Sequence, residues 1–262
     1  MHTAPNPTAP AQSVLPPAEE KALYVNQMFT AIAARYDLMN RLMTFGLDQG
    51  WRRWAARTIA VPGATHVLDV GTGTGDFLPI LEQAMPGAMV VGDDFTHAMM
   101  VAGQAKIDRQ TRHAAFVNGD ALELPFTDAA FDAVTTGFAI RNVADIGQAF
   151  REMARVTRPG GRLACLEVAR PKNPLVRWGH QFYFNTIVPI IGQLVGGNAQ
   201  AYTYLPQSAS VFPPPPELAQ IIAAAGWHSV SWRLLGFGAV AVHIATRNNA
   251  EPSPSNHQAI AK

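Results

Sequence analysis

The chain has 262 residues and carries 20 lysines and arginines against 19 aspartates and glutamates, which gives a formal net charge of +1. Such a balance provides no broad electrostatic field, so we expect no nucleic-acid binding and no strong attraction to an anionic membrane. The single cysteine, Cys165, excludes an internal disulfide and suits a reducing cytoplasm. The eight histidines lack metal-ligand spacing, and we expect no metal site.

The two ends of the chain differ in composition from the segment between them. Residues 1–20 and 248–262 are polar and marked by proline or serine, so burial cannot offset the entropy of ordering them and we predict disordered tails. The segment 21–247 predicts one domain. Within it we expect cap helices over 21–60 and an insertion or lid over about 174–215.

Apolar spacing then predicts the elements in chain order. From residue 25 to residue 36 the apolar side chains recur at i, i+3, i+4, i+7 and i+11, which predicts one helix that packs on the domain as a cap. Strands are predicted at 66–70, 88–92, 114–118, 131–137 and 161–168, and helices at 76–85, 96–107 and 145–156. This alternation predicts a parallel sheet covered by helices on both faces.

The alternation stops after Arg170. The remaining segments are an apolar insertion at 174–197, a stiff proline spacer at 213–216, a helix at 217–226 that Gly226 ends, and an antiparallel hairpin of 228–235 with 238–247. The apolar run inside the insertion is too short, and too interrupted by polar residues, proline and glycine, to span a bilayer.

The stretch LDVGTGTGD (68–76) places three glycines, Gly71, Gly73 and Gly75, between a predicted strand and a predicted helix. Such a corner is where α/β folds bind ligands, because a backbone without side chains can approach a ligand closely. The dinucleotide fingerprint requires G-x-G-x-x-G, and this spacing differs from it, which argues against an NAD-dependent oxidoreductase. Asp76 would repel a pyrophosphate but can pair with the amino end of an amino-acid ligand.

Acidic residues follow the next two predicted strands. Asp93 and Asp94 lie about 20 residues beyond the corner, where a carboxylate can accept both hydroxyls of a ribose. We favour Asp94 for the ribose; a carboxylate at this point can instead cap the following helix. Asp120 can accept an adenine amino proton while Ala121 and Leu122 flank the ring, although a plain polar loop is the alternative.

These features together resemble a class I S-adenosylmethionine-dependent methyltransferase, a resemblance that RVTRPGG (155–161) strengthens. Segments 36–54, 137–145, 166–171, 188–197 and 201–213 are similar, more narrowly, to the quinone-biosynthesis C-methyltransferase family. Its members methylate demethylmenaquinol or a polyprenyl methoxy-benzoquinol. The resemblance runs from about Val25 to Arg247. It implies S-adenosylmethionine as cofactor and a Rossmann-like sheet of seven strands, mostly parallel with an antiparallel last strand, flanked by helices.

The corner and the resemblance together give the candidate cofactor residues. They are Asp69, Gly71, Gly73, Thr74, Gly75, Asp94, Asp120, Ala121 and Gly137. Gly137 stands where relatives carry serine, so only its backbone can contact the cofactor. Three further departures from the family pattern are Asp48 in place of histidine, His180 in place of tyrosine and Ser210 in place of arginine. These differences put catalytic roles for those three side chains in doubt.

The chemistry that the resemblance implies requires a hydroquinone carbon to be aligned behind a sulfonium methyl, with water excluded. A cation near the neighbouring ring oxygen would lower the barrier by stabilising a phenolate. We assign this role to Arg141 and a positioning role to Asn142; a surface ion pair is the alternative for Arg141. Tyr202 and Tyr204, which would share one side of an extended segment, are candidate acceptor contacts. His243 is a further candidate, for which a structural role is favoured.

The substrate implied by the resemblance carries a polyprenyl tail, which needs an apolar groove. The insertion offers Trp178, Phe182, Tyr183, Ile187 and Ile190, which equally suit a core or a homodimer face. We expect a cytoplasmic enzyme with loose contact to the inner face of the membrane. Methylation of demethylmenaquinol, the last step of menaquinone biosynthesis, is the favoured function. The alternatives are benzoquinol methylation in ubiquinone biosynthesis and a non-catalytic, cofactor-binding scaffold of a quinone-synthesis complex.

Overall fold

One sheet organises the chain, and its strands follow the order β3-β2-β1-β4-β5-β7-β6. The computed structural model describes residues 16–171, 173–183, 186 and 199–248. The strands are β1 His66–Val70, β2 Met89–Asp94, β3 Ala114–Asn118, β4 Phe131–Gly137, β5 Thr157–Val168, β6 Trp227–Leu235 and β7 Val240–Arg247. The first five run parallel, and β7 is antiparallel to both β5 and β6. The predicted seven-stranded, mostly parallel sheet is confirmed.

Helices cover both faces of this sheet. They are α1 Ala18–Ile32, α2 Tyr36–Thr44, α3 Leu47–Ile59, α4 Leu78–Ala84, α5 His97–Gln110, α6 Ile146–Val156, α7 Pro174–Phe182, α8 Ala199–Val211 and α9 Pro215–Ala224. Alternate strand residues face opposite cores, as the period of a strand requires. Leu163 and Cys165 of β5 belong to the core under α6 and α9, whereas Ala164 and Leu166 belong to the core under α3 and α4. Among the described residues, no helix is long and apolar enough to cross a bilayer.

The N-terminal cap differs from its prediction. The expected single helix over 25–36 ends at Ile32, a 3-10 turn follows at Ala33–Arg35, and Tyr36 begins α2. Apolar periodicity did not reveal this break because the tightened turn keeps the chain helical on both sides. Helix α1 begins at Ala18, inside the segment predicted as a tail; residues 1–15 and 249–262 lie outside the described residues.

Two C-terminal predictions also change. The segment that would have placed Tyr202 and Tyr204 on one side of an extended chain is helix α8, which contains Pro206. Pro215 and Pro216 begin α9 instead of completing a spacer, because proline suits the first turn of a helix, where its missing N–H has no partner to lose. His243 on β7 is buried, and its Nε2 lies 2.9 Å from the Pro215 carbonyl oxygen. This contact is consistent with a structural histidine.

The corner after β1 generates a stability prediction. Gly71 has φ +67°, and a Cβ at this position would overlap the Cβ of Ala139. Gly87 has φ +86° but nothing within 4 Å of its Cβ position. Substitution Gly87→Ala should cost about 1 kcal/mol through backbone strain, and Gly71→Ala should cost about 1–3 kcal/mol more through overpacking. Urea denaturation of both variants measures the difference, and equal losses would show that the corner is not closely packed.

Candidate active site

A cavity of about 130 Å³, here the first cavity, lies at the carboxyl ends of β1, β2, β3 and β4. Strand β1 lies between β2 and β4, so the chain turns to opposite sides of β1 at this edge. Open α/β sheets bind ligands at such a switch point, because the loops leave the sheet in opposite directions and open a crevice. The glycine corner, Asp94, Asp120, Ala121, Leu122 and Gly137 all contribute to its wall or adjoin it.

Asp94 joins the end of β2 to the glycine corner. Its Oδ2 accepts a hydrogen bond from the Gly73 amide at 2.7 Å, and its Oδ1 accepts one from the Thr96 amide at 2.7 Å. The same carboxylate therefore binds the backbone of the residue that precedes α5, and it lines the first cavity. Burial raises the pKa of Asp94, while the two amides oppose that shift by stabilising the charged form.

Asp93 is a different kind of acid. Its side chain is only 1% exposed, and neither carboxylate oxygen has a hydrogen-bond partner among the described residues. Burial, and then the neighbouring carboxylates of Asp94, Asp120 and Asp69, raises the pKa of Asp93 to about 7. A carboxyl group in this position is neutral over much of the acidic range, so the wall carries less negative charge than its composition suggests.

The other candidate cofactor residues divide between the wall and its support. Asp120 lines the first cavity, and its Oδ1 accepts a hydrogen bond from the Leu122 amide at 2.9 Å. Asp69 is not among the lining residues; it is buried and accepts a hydrogen bond from Thr135 Oγ1 at 2.7 Å. Its position supports the ends of β1 and β4 from inside the sheet. Burial raises the pKa of Asp69 to about 6.

Thr74 connects the corner to the cap. Its Oγ1 lies 2.5 Å from Asp37 Oδ1 on α2 and 3.1 Å from the ammonium of Lys106 on α5. Lys106 also contacts Asp37 at 2.8 Å and Asp76 at 2.7 Å. All three donors of the ammonium are used, so this half-buried cation holds α2 against the corner.

A second cavity, of about 650 Å³, adjoins the first. Its wall is formed by α1 and α2, by residues that follow β4 and β5, and by parts of α7 and α8. Four residues line both cavities and therefore mark the junction: Phe29, Tyr36, Phe138 and Asn142. The two cavities thus lie side by side along the sheet edge, the first over β3-β2-β1-β4 and the second over β4-β5-β7.

Arg141 lines the second cavity but is not the surface ion pair considered as its alternative. It is 8% exposed, and its Nη1 donates to Glu167 Oε1 at 3.0 Å and to the Phe138 carbonyl at 2.6 Å. Its Nε has no partner among the described residues. Asn142 Nδ2 donates to the same carbonyl at 3.5 Å, and its buried Oδ1 is likewise without a described partner.

Several sequence predictions fall on residues whose side chains the structure does not describe. These are Tyr202, His180, Ile187 and Ile190. Of the remaining insertion residues, Tyr183 lines the second cavity, whereas Trp178 and Phe182 are largely exposed. Ser210 also lines the second cavity, and Asp48 is fully buried in an ion pair with Arg52 at 2.5 Å.

Three site residues were not identified from the sequence: Tyr36, Arg52 and Lys106. Tyr36 and Arg52 both lie in YDLMNRLMTFGLDQGWRRW, so the family-like motif marked the segment without marking these side chains. Burial raises the pKa of Tyr36, and the neighbouring Arg52 and Arg141 guanidinium groups oppose that shift. Tyr36 therefore lies close to both arginines at the junction of the cavities.

The sheet order, the antiparallel β7 and the cavity at the β1–β4 switch point define a class I methyltransferase fold. A solved chain of the complex between the Haloferax volcanii Trm112 methyltransferase activator and its methyltransferase shares this fold, with a TM-score of 0.64 and 20% identity. That likeness covers 87% of this chain and 100% of the solved one.

The chain belongs to the ubiE/COQ5 methyltransferase family, whose family model matches residues 17–247. It is 58% identical over 231 residues to a demethylmenaquinone methyltransferase of Roseiflexus castenholzii, covering 88% of this chain and 96% of that protein. It is 46% identical over 220 residues to a demethylmenaquinone methyltransferase of Deinococcus radiodurans, covering 84% and 91%. The family resemblance inferred from the sequence is confirmed.

The unpartnered carboxyl of Asp93 generates a prediction of pH dependence. Because its folded-state pKa, about 7, exceeds the ordinary 3.8, its contribution to stability is present below about pH 4 and is lost as the pH rises toward 7. The difference in unfolding free energy between Asp93→Asn and the wild type should therefore shift in favour of the variant by about 2–3 kcal/mol as the pH is raised from 5 to 8.

Asp132 provides a control of opposite sign. Although burial favours its neutral form, hydrogen bonds from the Thr65 and His66 amides and from Arg158 hold the pKa of Asp132 below its usual value. Asp132→Asn should lose stability at neutral pH and approach the wild type in acid. A stability difference for Asp93→Asn that does not change with pH would contradict the assignment of a raised pKa.

Proposed function

We propose that this chain transfers the methyl group of S-adenosylmethionine to a ring carbon of a polyprenyl quinol, with demethylmenaquinol as the favoured acceptor and menaquinol as product. The junction of the two cavities at Tyr36, Phe29, Phe138 and Asn142 is the single observation that carries the proposal. A methyl transfer requires donor and acceptor to meet in line at a distance of about 3–3.5 Å, and two separate cavities with a common wall suit this requirement.

The residues that line the first cavity suit an adenosyl amino acid. Asp94 would hold the ribose hydroxyls, Asp120 the adenine amino group, and the backbone from Gly71 to Gly75 would approach the sulfonium end. The carboxyl group of Asp93, which has no hydrogen-bond partner among the described residues, provides a further polar group at the same wall. When bound, S-adenosylmethionine supplies an electrophilic methyl group, so the protein needs no covalent nucleophile.

The reaction balances without any further reactant. A carbon–carbon bond forms between the methyl group and the ring, the carbon–sulfur bond breaks and its electron pair stays on sulfur. The ring carbon then loses its proton to restore aromaticity. The quinol oxygen donates electron density into the ring most strongly as a phenolate, so a positive group beside it favours the reaction.

Arg141 is the group of this chain that suits that role. Glu167 and the Phe138 carbonyl hold its guanidinium at the second cavity, and a fixed donor costs less to reorganise when charge develops on the quinol oxygen. Asn142 lies at the junction, where its amide can orient a ring hydroxyl. The buried phenol of Tyr36 forms the adjoining wall and helps to exclude water.

The second cavity is large enough for a quinol ring and the first part of a tail, because ligand sites commonly measure about 300–1,000 Å³. Phe45, Leu47 and Phe237 line it and are also exposed, so apolar surface continues from the cavity to the outside. This continuity supports a lipid-tailed substrate. Contact with the inner face of the membrane and a homodimer both stay predictions.

The ring of the acceptor follows from the relatives. Both reported relatives are named demethylmenaquinone methyltransferases. This chain covers 96% of the first of them at 58% identity. This favours the naphthoquinol over the benzoquinol. The non-catalytic scaffold is disfavoured because the second cavity opens beside the cofactor cavity and presents Arg141 and Asn142 to it.

Product analysis tests the proposed reaction. Purified protein is incubated with methyl-labelled S-adenosylmethionine and either reduced demethylmenaquinone or the polyprenyl methoxy-benzoquinol, and the products are weighed by mass spectrometry. We expect one labelled methyl group on the naphthoquinol and at least tenfold slower labelling of the benzoquinol. No labelled quinol from either acceptor would contradict the proposed enzyme, and labelling of the benzoquinol alone would contradict the choice of ring.

A paired substitution tests the role of Arg141. Removing the arginine alone would leave Glu167 buried without a counter-charge and would cost about 3–5 kcal/mol of stability. The double variant Arg141→Gln/Glu167→Gln removes both charges together. We expect kcat to fall by about 10²–10³-fold, as for loss of one electrostatic donor, with little change in the Kd of S-adenosylmethionine.

The matched control removes an ion pair that lines neither cavity. Arg155 and Glu152 of α6 lie 2.7 Å apart, and Arg155→Gln/Glu152→Gln should leave kcat unchanged. Full turnover in the Arg141 double variant would exclude phenolate stabilisation by this arginine. An equal fall in both double variants would show a general loss of structure.

A further inference from the structure

The first cavity has a charge distribution that the adenosine contacts do not use. Four acids line it: Asp76, Asp93, Asp94 and Asp120. Arg52 is the single lysine, arginine or histidine among the described residues of its wall. Arg52 is therefore the one basic side chain of the described wall that can attract an anion, and the guanidinium fork matches a carboxylate in particular.

Arg52 is held in place but is not fully satisfied. It is 4% exposed, and its Nη1 lies 2.5 Å from Oδ2 of Asp48, one turn earlier on α3. Asp48 is itself fixed by the Thr44 hydroxyl at 2.8 Å. The Nε of Arg52 is buried and has no hydrogen-bond partner among the described residues. A buried donor without a partner is costly, and a ligand carboxylate would remove that cost.

The aromatic neighbours of Arg52 fix its position along the sheet edge. Its guanidinium carbon lies 5.5 Å from the ring centres of Phe77, which follows the glycine corner, and of Phe138, which follows β4. Asp120 and Asp94 stand at the ends of β3 and β2, on the other side of β1. Arg52 therefore lies at the end of the first cavity opposite the adenosine contacts and next to the second cavity.

Asp76 provides the opposite charge at the same end. Although burial favours its neutral form, Arg52 and Lys106 hold the pKa of Asp76 below its usual value. Its Oδ1 is bound by Lys106 at 2.7 Å, and its Oδ2 makes no hydrogen bond to any residue that the structure describes. A charged carboxylate with one oxygen left over is suited to an ammonium group.

We propose that Arg52 and Asp76 form the subsite for the α-amino-acid end of the ligand, with Arg52 binding its carboxylate and Asp76 its ammonium group. The subsite rests on the proposed function, since it assigns the end of S-adenosylmethionine that the adenosine contacts leave unbound. Asp48 and Lys106 are positioning residues behind the two. This subsite holds the amino-acid end of the ligand and the adenosine contacts hold the other end. The sulfonium between them then lies next to the junction of the cavities.

Calorimetry with three ligands tests this subsite without turnover. The ligands are S-adenosylmethionine, its decarboxylated analogue, and 5′-methylthioadenosine, which lacks the whole amino-acid end. We expect the wild type to bind S-adenosylmethionine about 10–100-fold more tightly than the decarboxylated analogue, as for one charge-assisted contact. Equal binding of these two ligands overturns the proposal without the need for any variant.

Variants assign the contact to its residue. Arg52→Gln should weaken the binding of S-adenosylmethionine by about 10–100-fold. Its affinities for the decarboxylated analogue and for 5′-methylthioadenosine should stay within about threefold of the wild-type values. Arg53→Gln, which alters the exposed neighbour on the same helix, should change none of the three. Equal weakening of S-adenosylmethionine and its decarboxylated analogue, with 5′-methylthioadenosine retained, would show that Arg52 does not bind the carboxylate.

Folding and function are separated by the same measurements. If Arg52→Gln also fails to bind 5′-methylthioadenosine, Arg52→Lys is measured in its place. A smaller preference for S-adenosylmethionine over its decarboxylated analogue in Arg52→Lys than in the wild type then supports the proposal. Asp76→Asn should weaken the binding of S-adenosylmethionine more than it weakens the binding of the analogue that carries a hydroxyl in place of the amino group. Equal weakening of the two overturns the assignment of Asp76. Failure of the wild type to bind any of the three ligands would instead contradict the proposed function.

Discussion

The first cavity depends on one close approach, that of the glycine corner after β1 to the strands on both of its sides. On one side the Gly73 amide donates to Asp94 at 2.7 Å, and on the other a Cβ on Gly71 would overlap Ala139. Both glycines have positive φ, and at Gly71 the close approach also requires that there be no side chain. The corner therefore closes the crevice between β2 and β4, and the remaining groups of the first cavity take their positions from it.

The sheet order then places unlike environments next to each other. Acidic groups lie at the ends of β3 and β2, whereas the wall beyond β4 is largely apolar and contains Arg141 with Glu167. A buried ion pair contributes little net stability, because desolvation offsets most of the attraction. The low net contribution of this pair to stability is therefore in keeping with the ligand role proposed for Arg141. The half-buried cation of Lys106 lies behind the first cavity, where it joins the cap to the corner.

The strands, the corner and the acid at the end of β2 could be predicted because each has a local signal: alternating burial, glycine spacing or a fixed distance along the chain. The contacts of Tyr36 and Arg52 could not, since they depend on how α2 and α3 fold back over the sheet edge, and helical periodicity carries no information on that path. The partner of Arg141, Glu167, lies on β5, 26 residues further along the chain. Helix α8 was missed because Pro206 interrupts its pattern. The hydrogen bond of Asp69, a candidate cofactor residue, to Thr135 on the neighbouring strand likewise has no local signal in the sequence.

In the proposed function, donor and acceptor occupy adjoining cavities with a common wall. A crystal structure of the protein grown with S-adenosylhomocysteine tests it most directly. We predict that the ribose hydroxyls lie within hydrogen-bonding distance of Asp94 and that the sulfur faces the wall formed by Tyr36 and Phe138. A ribose bound elsewhere, or a sulfur that faces away from the second cavity, would contradict the claim.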